Sequence, residues 1–351
     1  MRHKNPSSAL GGLRLLRRAI IPCVCLGAVA CGSGETSSAP RVTDVYVAGD
    51  ADTARGTLAM VWKNGVATPL TDGTLSADAW SVAVSGGDVY VAGTQYGTRT
   101  VAMLWKNGAA TPLTDGTHYG YAASVAVSGS GVYVAGEEVD PITPLPTLWK
   151  NGVATRLTTQ SGVANTVVIS GSDVYVAGEA SSGAYQQVAT VWKNGVATPL
   201  TYGAGYGWEA VSVAVSGSDV YVAGDANIGL TRAATLWKNG VATVLTDGTR
   251  DAYGKSVAVS GSDVYVVGYE TNKAYVNVAT VWRNGVATAL TDGTLSADAW
   301  SVAVSGGDVY VAGSQSNGTH SVATLWKNGV ATRLTDGTQD AHARSVVVIS
   351  H

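Results

Sequence analysis

A single seven-bladed β-propeller, an all-β ring of four-stranded antiparallel blades closed by the C-terminal strand joining the first blade, is the fold this sequence predicts. Three observations predict it: a repeat, the strand pattern within it, and chain ends that complete each other. The motif VYVAG, once VYVVG, starts at Val45, Val89, Val132, Val174, Val220, Val264 and Val309, at intervals of 44, 43, 42, 46, 44 and 45 residues. WKNG, once WRNG, places a Trp at 62, 105, 149, 192, 237, 282 and 326. Self-similarity at this period marks a solenoid, a propeller or an array.

Each unit reads as four strands. SVAVS and DVYVAG alternate at period two and are separated by a Gly/Ser pair, as at Gly261-Ser262. That is a tight hairpin. A loop of about eight residues leads to ATLWK. Asn-Gly follows, which favours a type I′ turn because both residues tolerate positive φ, and the chain returns as VATPL. The longest connection, about ten residues, then crosses to the next SVAVS. Short links join neighbouring strands, so SVAVS is innermost and VATPL outermost. Pro69, Pro112 and Pro199 agree with this order, since proline is tolerated at sheet edges, where no ladder bond is lost.

The chain ends supply the third observation. The first unit has no SVAVS strand before its VYVAG, and the last strand, Ser345–Ser350, has no VYVAG after it. Together they complete a seventh sheet, which shuts the ring and leaves no open half-sheet. A linear β-solenoid, the alternative at this period, has no use for such complementarity.

With these motifs the chain resembles repetitive bacterial propeller proteins built from DVYVAG, WKNG and LTDG units. More distantly it is similar to kelch and WD-repeat propellers. It lacks the Trp-Asp dipeptide of the latter and the regular Gly-Gly doublet of the former. The resemblance covers residues 44–350 and implies the fold; it implies no activity.

Composition agrees. Hydrophobic residues make up 46% and charged residues 13%, so the chain has the apolar surface for a core. Forty-four Gly, with no Phe, favour strands and tight turns. Residues 1–30 read as a signal peptide: Arg14, Arg17 and Arg18 precede an apolar run from Ala19 to Ala30. Cys31 follows Ala28-Val29-Ala30, and here the segment resembles a bacterial lipoprotein signal, which implies lipidation of Cys31. An ordinary secretory site, giving a secreted protein, is the alternative. Residues 31–43 then form a tether and 44–351 the propeller. All three Cys lie at or before residue 31, so the remainder has no Cys for a disulfide. Without residues 1–30 the chain carries 17 basic against 25 acidic side chains, which argues against a nucleic-acid partner.

The ring's repeated Tyr and Trp are expected to pack blade against blade. Twelve aromatic residues lie outside the repeat, in or beside the two long connections, which emerge on one face. That predicts one aromatic-rich face suited to a glycan or an envelope protein. The candidate ligand-binding residues at its mouth are Trp80, Tyr121, Trp208, Glu209, Tyr253, Lys255, Trp300, His342 and Arg344. Asp50-Ala51-Asp52 lacks the further acids and Gly of a calcium loop and reads as a solvated loop. Glu137, Glu138 and Asp140 read as a charged loop tip. His spacing gives no metal motif, and no nucleophile elbow or phosphate loop is present. The chain is therefore expected to be a monomeric, non-catalytic binding module without cofactor or metal, meeting a membrane only through its N-terminus. A surface scaffold is the second reading and a propeller-mouth enzyme the third.

Overall fold

The computed structural model describes residues 43–183, 186–202, 205–206 and 209–351. The signal peptide, Cys31, the tether up to residue 42 and Trp208 lie outside the described residues. The described chain forms seven four-stranded antiparallel sheets, each running from an inner SVAVS strand to an outer VATPL strand. In the second blade these are Ala77–Ser85, Asp88–Tyr96, Thr100–Lys106 and Ala109–Pro112. The first blade takes its inner strand, Ala341–Ser350, from the C-terminus, where it pairs with Thr43–Thr53. Val348 lies opposite Val45 and Val346 opposite Val47 in that ladder.

The turns show why the motif letters recur. All seven Asn of WKNG and WRNG have φ of 51° or 52°, followed by Gly at 80° to 83°, the type I′ geometry. Asn64 also reaches sideways. Its Oδ1 accepts the Val45 N–H at 2.8 Å, and its Nδ2 donates to Asp44 Oδ1 at 2.8 Å. Lys63 pairs with the same carboxylate at 2.9 Å and lies 5.1 Å over the Tyr46 ring. These half-exposed lysines, with Arg283 in the sixth blade, are thus parts of a repeated Asp–Tyr–Lys–Asn cluster. The third blade departs from it, because Gly131 stands where the others have Asp. Asn151 keeps its bond to Val132, but Lys150 and Asn151 have no carboxylate there. A Cβ on Gly131 would stand 2.7 Å from the edge of the Tyr133 ring, so Gly131→Asp must displace that ring before its carboxylate can meet Lys150, and the thermal midpoint is expected to move by no more than about 1 °C, read by calorimetry.

Packing between blades is uniform. Each WKNG Trp is 0% or 1% exposed. Trp105 packs on Tyr46 and Ala48 of the preceding blade, and Trp282 on Tyr221 and Ala223. Trp62 makes the same contact with Tyr310 and Ala312 across the closing junction. The seam between the chain ends is therefore packed like any other junction.

One element was not foreseen. The connection from the fourth to the fifth blade, within the longest repeat interval, carries a two-stranded ladder of Thr201–Tyr202 and Gly205–Tyr206. The Trp237 indole N–H donates to the Thr201 carbonyl at 2.9 Å.

Candidate functional site

Every inner strand breaks register at the same place. In the second blade Ala79 pairs with Gly93 and Ser81 with Ala92, leaving Trp80 unpaired between them. The equivalent bulge residues are Ala123, Asn165, Val211, Lys255, Trp300 and, in the first blade, Arg344. A bulge bends the strand and re-aims one side chain. It also crowds the backbone opposite. A Cβ on Gly93 would collide with the Asp78 carbonyl, and one on Gly178 with the Val163 carbonyl. This close approach accounts for the Gly of VYVAG in all seven blades.

All seven bulge residues line one central cavity of about 390 Å³. So do the seven residues that follow them, six Ser and Thr166, and so does Glu209. The Ser hydroxyls join the blades. Ser81 Oγ accepts the Val125 N–H at 3.1 Å, and Ser301 Oγ accepts the Val346 N–H at 3.1 Å across the seam. At the fourth junction the direction reverses, with Thr166 donating to the Val211 carbonyl at 2.6 Å and Asn165 to that of Ala210 at 3.1 Å.

The structure thus brings Trp80, Glu209, Lys255, Trp300 and Arg344 to one cavity. Tyr121, Tyr253 and His342 occupy the Glu209 position in their own strands, two residues before the bulge, and are absent from its lining. Tyr253 lies against Tyr269, with ring centroids 4.9 Å apart, and beneath the cations of Lys255 and Arg232. His342 Nδ1 donates to Asp50 Oδ2 at 2.8 Å. These residues begin the inner strands rather than end the loops, because each strand extends through its bulge.

Cations and rings alternate along the bulge column. Arg344 lies between two indoles, 4.7 Å from the Trp80 ring and 5.2 Å from that of Trp300. Lys255 stands 5.7 Å from Trp300. Asp50 holds Arg344 in place, accepting from its Nε at 2.9 Å. Asp50 is 4% exposed and sits within a strand, which corrects the reading of a solvated loop. Burial opposes its charge. The bond from His342 and the Arg344 guanidinium outweigh that and hold its carboxyl below the ordinary range. Asp50→Asn is expected to cost about 1–2 kcal/mol by denaturant titration, because it removes a charged acceptor shared by two donors.

Asp50 belongs to a column that motif reading did not pick out, the residue after the repeat Gly. It holds Glu137, Glu179 and Asp225 in blades three to five. Glu137 is strand, not loop tip. Burial pushes Glu137 up to about 7. Burial, then the charges of Glu209, Asp225 and Glu137, push Glu179 up to about 7. Asp225 rises to about 7 through burial and Glu209, although Arg232 lies 3.5 Å away. The available signal was four acids in one column of an otherwise uniform repeat.

The four His near described carboxylates are dispersed: His118 by Asp140, His320 by Asp340, His342 by Asp50 and His351 by Asp44. Among the described residues no group of three or more His, Cys, Asp or Glu is placed to hold a metal ion. No described helix is long and apolar enough to cross a membrane.

No family model and no curated protein sequence matches this chain. Among solved structures it is similar to TolB from Acinetobacter baumannii at 13% identity, over 68% of this chain and 61% of that one, with a TM-score of 0.47. It is similar to a puromycin-hydrolyzing peptidase from Mycobacterium tuberculosis at 14% identity, over 79% of this chain and 50% of that one, with a TM-score of 0.53. The chain therefore spans between half and two thirds of these proteins' lengths, and at 14% identity the likeness to the peptidase is one of fold alone.

Proposed function

We propose that the protein is a non-catalytic binding module of the bacterial cell envelope whose ligand, a glycan or a protein, enters the central cavity. One observation carries this reading. The bulge needs no particular side chain, since Ala123 and Val211 occupy it in two blades. Trp80, Trp300, Lys255 and Arg344 are therefore surplus to the backbone geometry, and they converge with Glu209 on one cavity. Aromatic faces beside charges and hydroxyls are the usual equipment of a polar-ligand site.

A glycan and envelope-extract array probed with the protein tests the proposal. Binding is expected, with a loss of at least about tenfold in the Trp80→Ala, Trp300→Ala double variant. Silence toward every glycan and extract would remove it. Envelope placement rests on the N-terminal segment, where lipidation of Cys31 is the expected result of mass spectrometry on the mature protein. An unmodified Cys31 would leave a secreted form. Hydrolysis by the peptidase neighbour belongs to that protein, half of which is not covered by this chain.

A scaffold role is the second reading. Residues 70–93 and 290–313 are identical over 24 positions, Trp80 and Trp300 included. Copying alone thus accounts for one of the two indoles.

A further inference from the structure

The alternation of cations and rings around the cavity is incomplete. From the sixth blade onward it runs Lys255, Trp300, Arg344, Trp80. Trp300 has a cation from each neighbouring blade. Trp80 has one, Arg344, on the side of the first blade. The next position, in the third blade, is Ala123, a single methyl group, and the two after it, Asn165 and Val211, are uncharged. The row ends on an indole, and in blades three to five the uncharged Ala123, Asn165 and Val211 line the cavity.

Carboxylates stand on that same side. Glu209 lines the cavity. Glu137, Glu179 and Asp225 occupy the column that holds Asp50 in the first blade. There the acid is met by a bulge cation of its own blade, with Arg344 Nε 2.9 Å from Asp50. In blades three to five the acid is present, and the bulge residue carries no charge. Glu137 Oε2 is buried with no hydrogen-bond partner among the described residues, and neither oxygen of Asp225 has one. Asp225 is completely buried, with Arg232 as its ion-pair partner at 3.5 Å. Burial first, and then the charges of Glu209, Asp225 and Glu137, raise Glu179.

We infer that the central cavity, on the side of blades three to five, binds an organic cation, an ammonium or guanidinium group, which stacks on the face of Trp80 away from Arg344 and pairs with Glu209, the carboxylate that lines the cavity. The cation takes the place that Arg344 and Lys255 fill on the other side, where the chain supplies its own. An indole with a nearby anion is a strong site for such a group once water is excluded. This rests on the reading of the central cavity as a ligand site. The group is carried either by a free diamine or by a Lys or Arg side chain of a polypeptide.

The test uses the full-length protein and calorimetry, with tryptophan fluorescence as a second readout. The probes are 1,6-diaminohexane, the neutral isostere 1,6-hexanediol, the dianion adipate, and short peptides with one central Lys or Arg. The cations are expected to bind at least about tenfold more tightly than the diol, and adipate not at all. A tighter diamine assigns a free ligand; a tighter peptide assigns a polypeptide-borne one. Glu209→Gln is expected to weaken cation binding at least about tenfold. Ala123→Arg places the missing cation from within the chain and is expected to abolish binding while the thermal transition is retained. Equal affinity for diamine and diol, or unchanged affinity in folded Ala123→Arg, would overturn the inference. Sugars bound on an array by a protein that ignores the diamine would overturn it too, and leave the broader binding reading standing.

Discussion

Deletion of residues 341–351 is expected to abolish the cooperative thermal transition of the whole ring, not only of its first blade. The lost strand supplies the full inner ladder to Thr43–Thr53 and buries Ala341, Ala343 and Val346 beside Trp62. With it go the Arg344 guanidinium between two indoles of neighbouring blades and the acceptor that Ser345 offers to the Val82 N–H. Asp50 loses both of its donors, the His342 ring and the Arg344 guanidinium. The combined loss is on the order of 5 kcal/mol or more, comparable to the net stability of a typical domain. Circular dichroism against temperature reads it, and adding a synthetic peptide of residues 341–351 is expected to restore the transition. A truncated chain that melts like the intact one would contradict the account of closure.

The second large effect is a fall in stability as pH rises from 5 to 8. Glu137, Glu179 and Asp225 are held at about 7 in the fold, above the range they occupy in an unfolded chain. The folded state then binds more protons than the unfolded state in the interval between. Their contribution is complete below the unfolded values near 4 and is lost as pH passes through about 7. A tenfold difference in proton affinity between the folded and unfolded chain corresponds to about 1.4 kcal/mol, and mutual coupling and partial exposure reduce the sum. A loss on the order of 2–5 kcal/mol is expected for the three together. On the acid side the direction reverses. Asp50, held below the ordinary range, loses its contribution as pH falls through its lowered value, so stability peaks in weak acid. Urea titrations at pH 5, 6.5 and 8 check the slope, and Glu179→Gln is expected to flatten it. Stability that is level or rising between pH 5 and 8 would contradict the placement of these acids.

Most of the fold was legible because the repeat says the same thing seven times. Period-two alternation, the Asn-Gly turns and the complementary ends each fix a different part of the topology. The site was legible in part. Trp80, Lys255, Trp300 and Arg344 stood out as large or charged residues against a uniform background. The bulge that aims them did not, because a bulge is a property of two strands in register, and one strand read alone carries no trace of it. Its imprint lies on the partner, where Gly49 and its counterparts have no room for a Cβ. Asp50 and Glu137 were misplaced for the same reason. They follow that Gly, and an acidic residue after a Gly, with a second acid one or two positions on, reads locally as the start of a loop. Only the extension of the second strand past the bulge takes them into the wall of the ring.

The position of the first described strand has a mechanical consequence. Thr43–Thr53 is not an edge: it is bonded to Ala341–Ser350 on one flank and to Gly56–Lys63 on the other. A load arriving through the chain ahead of Thr43 must therefore break two ladders together, whereas an edge strand would peel from one. Tugged from that end, the toroid resists through its best-anchored staple, and the force passes to both chain ends at once.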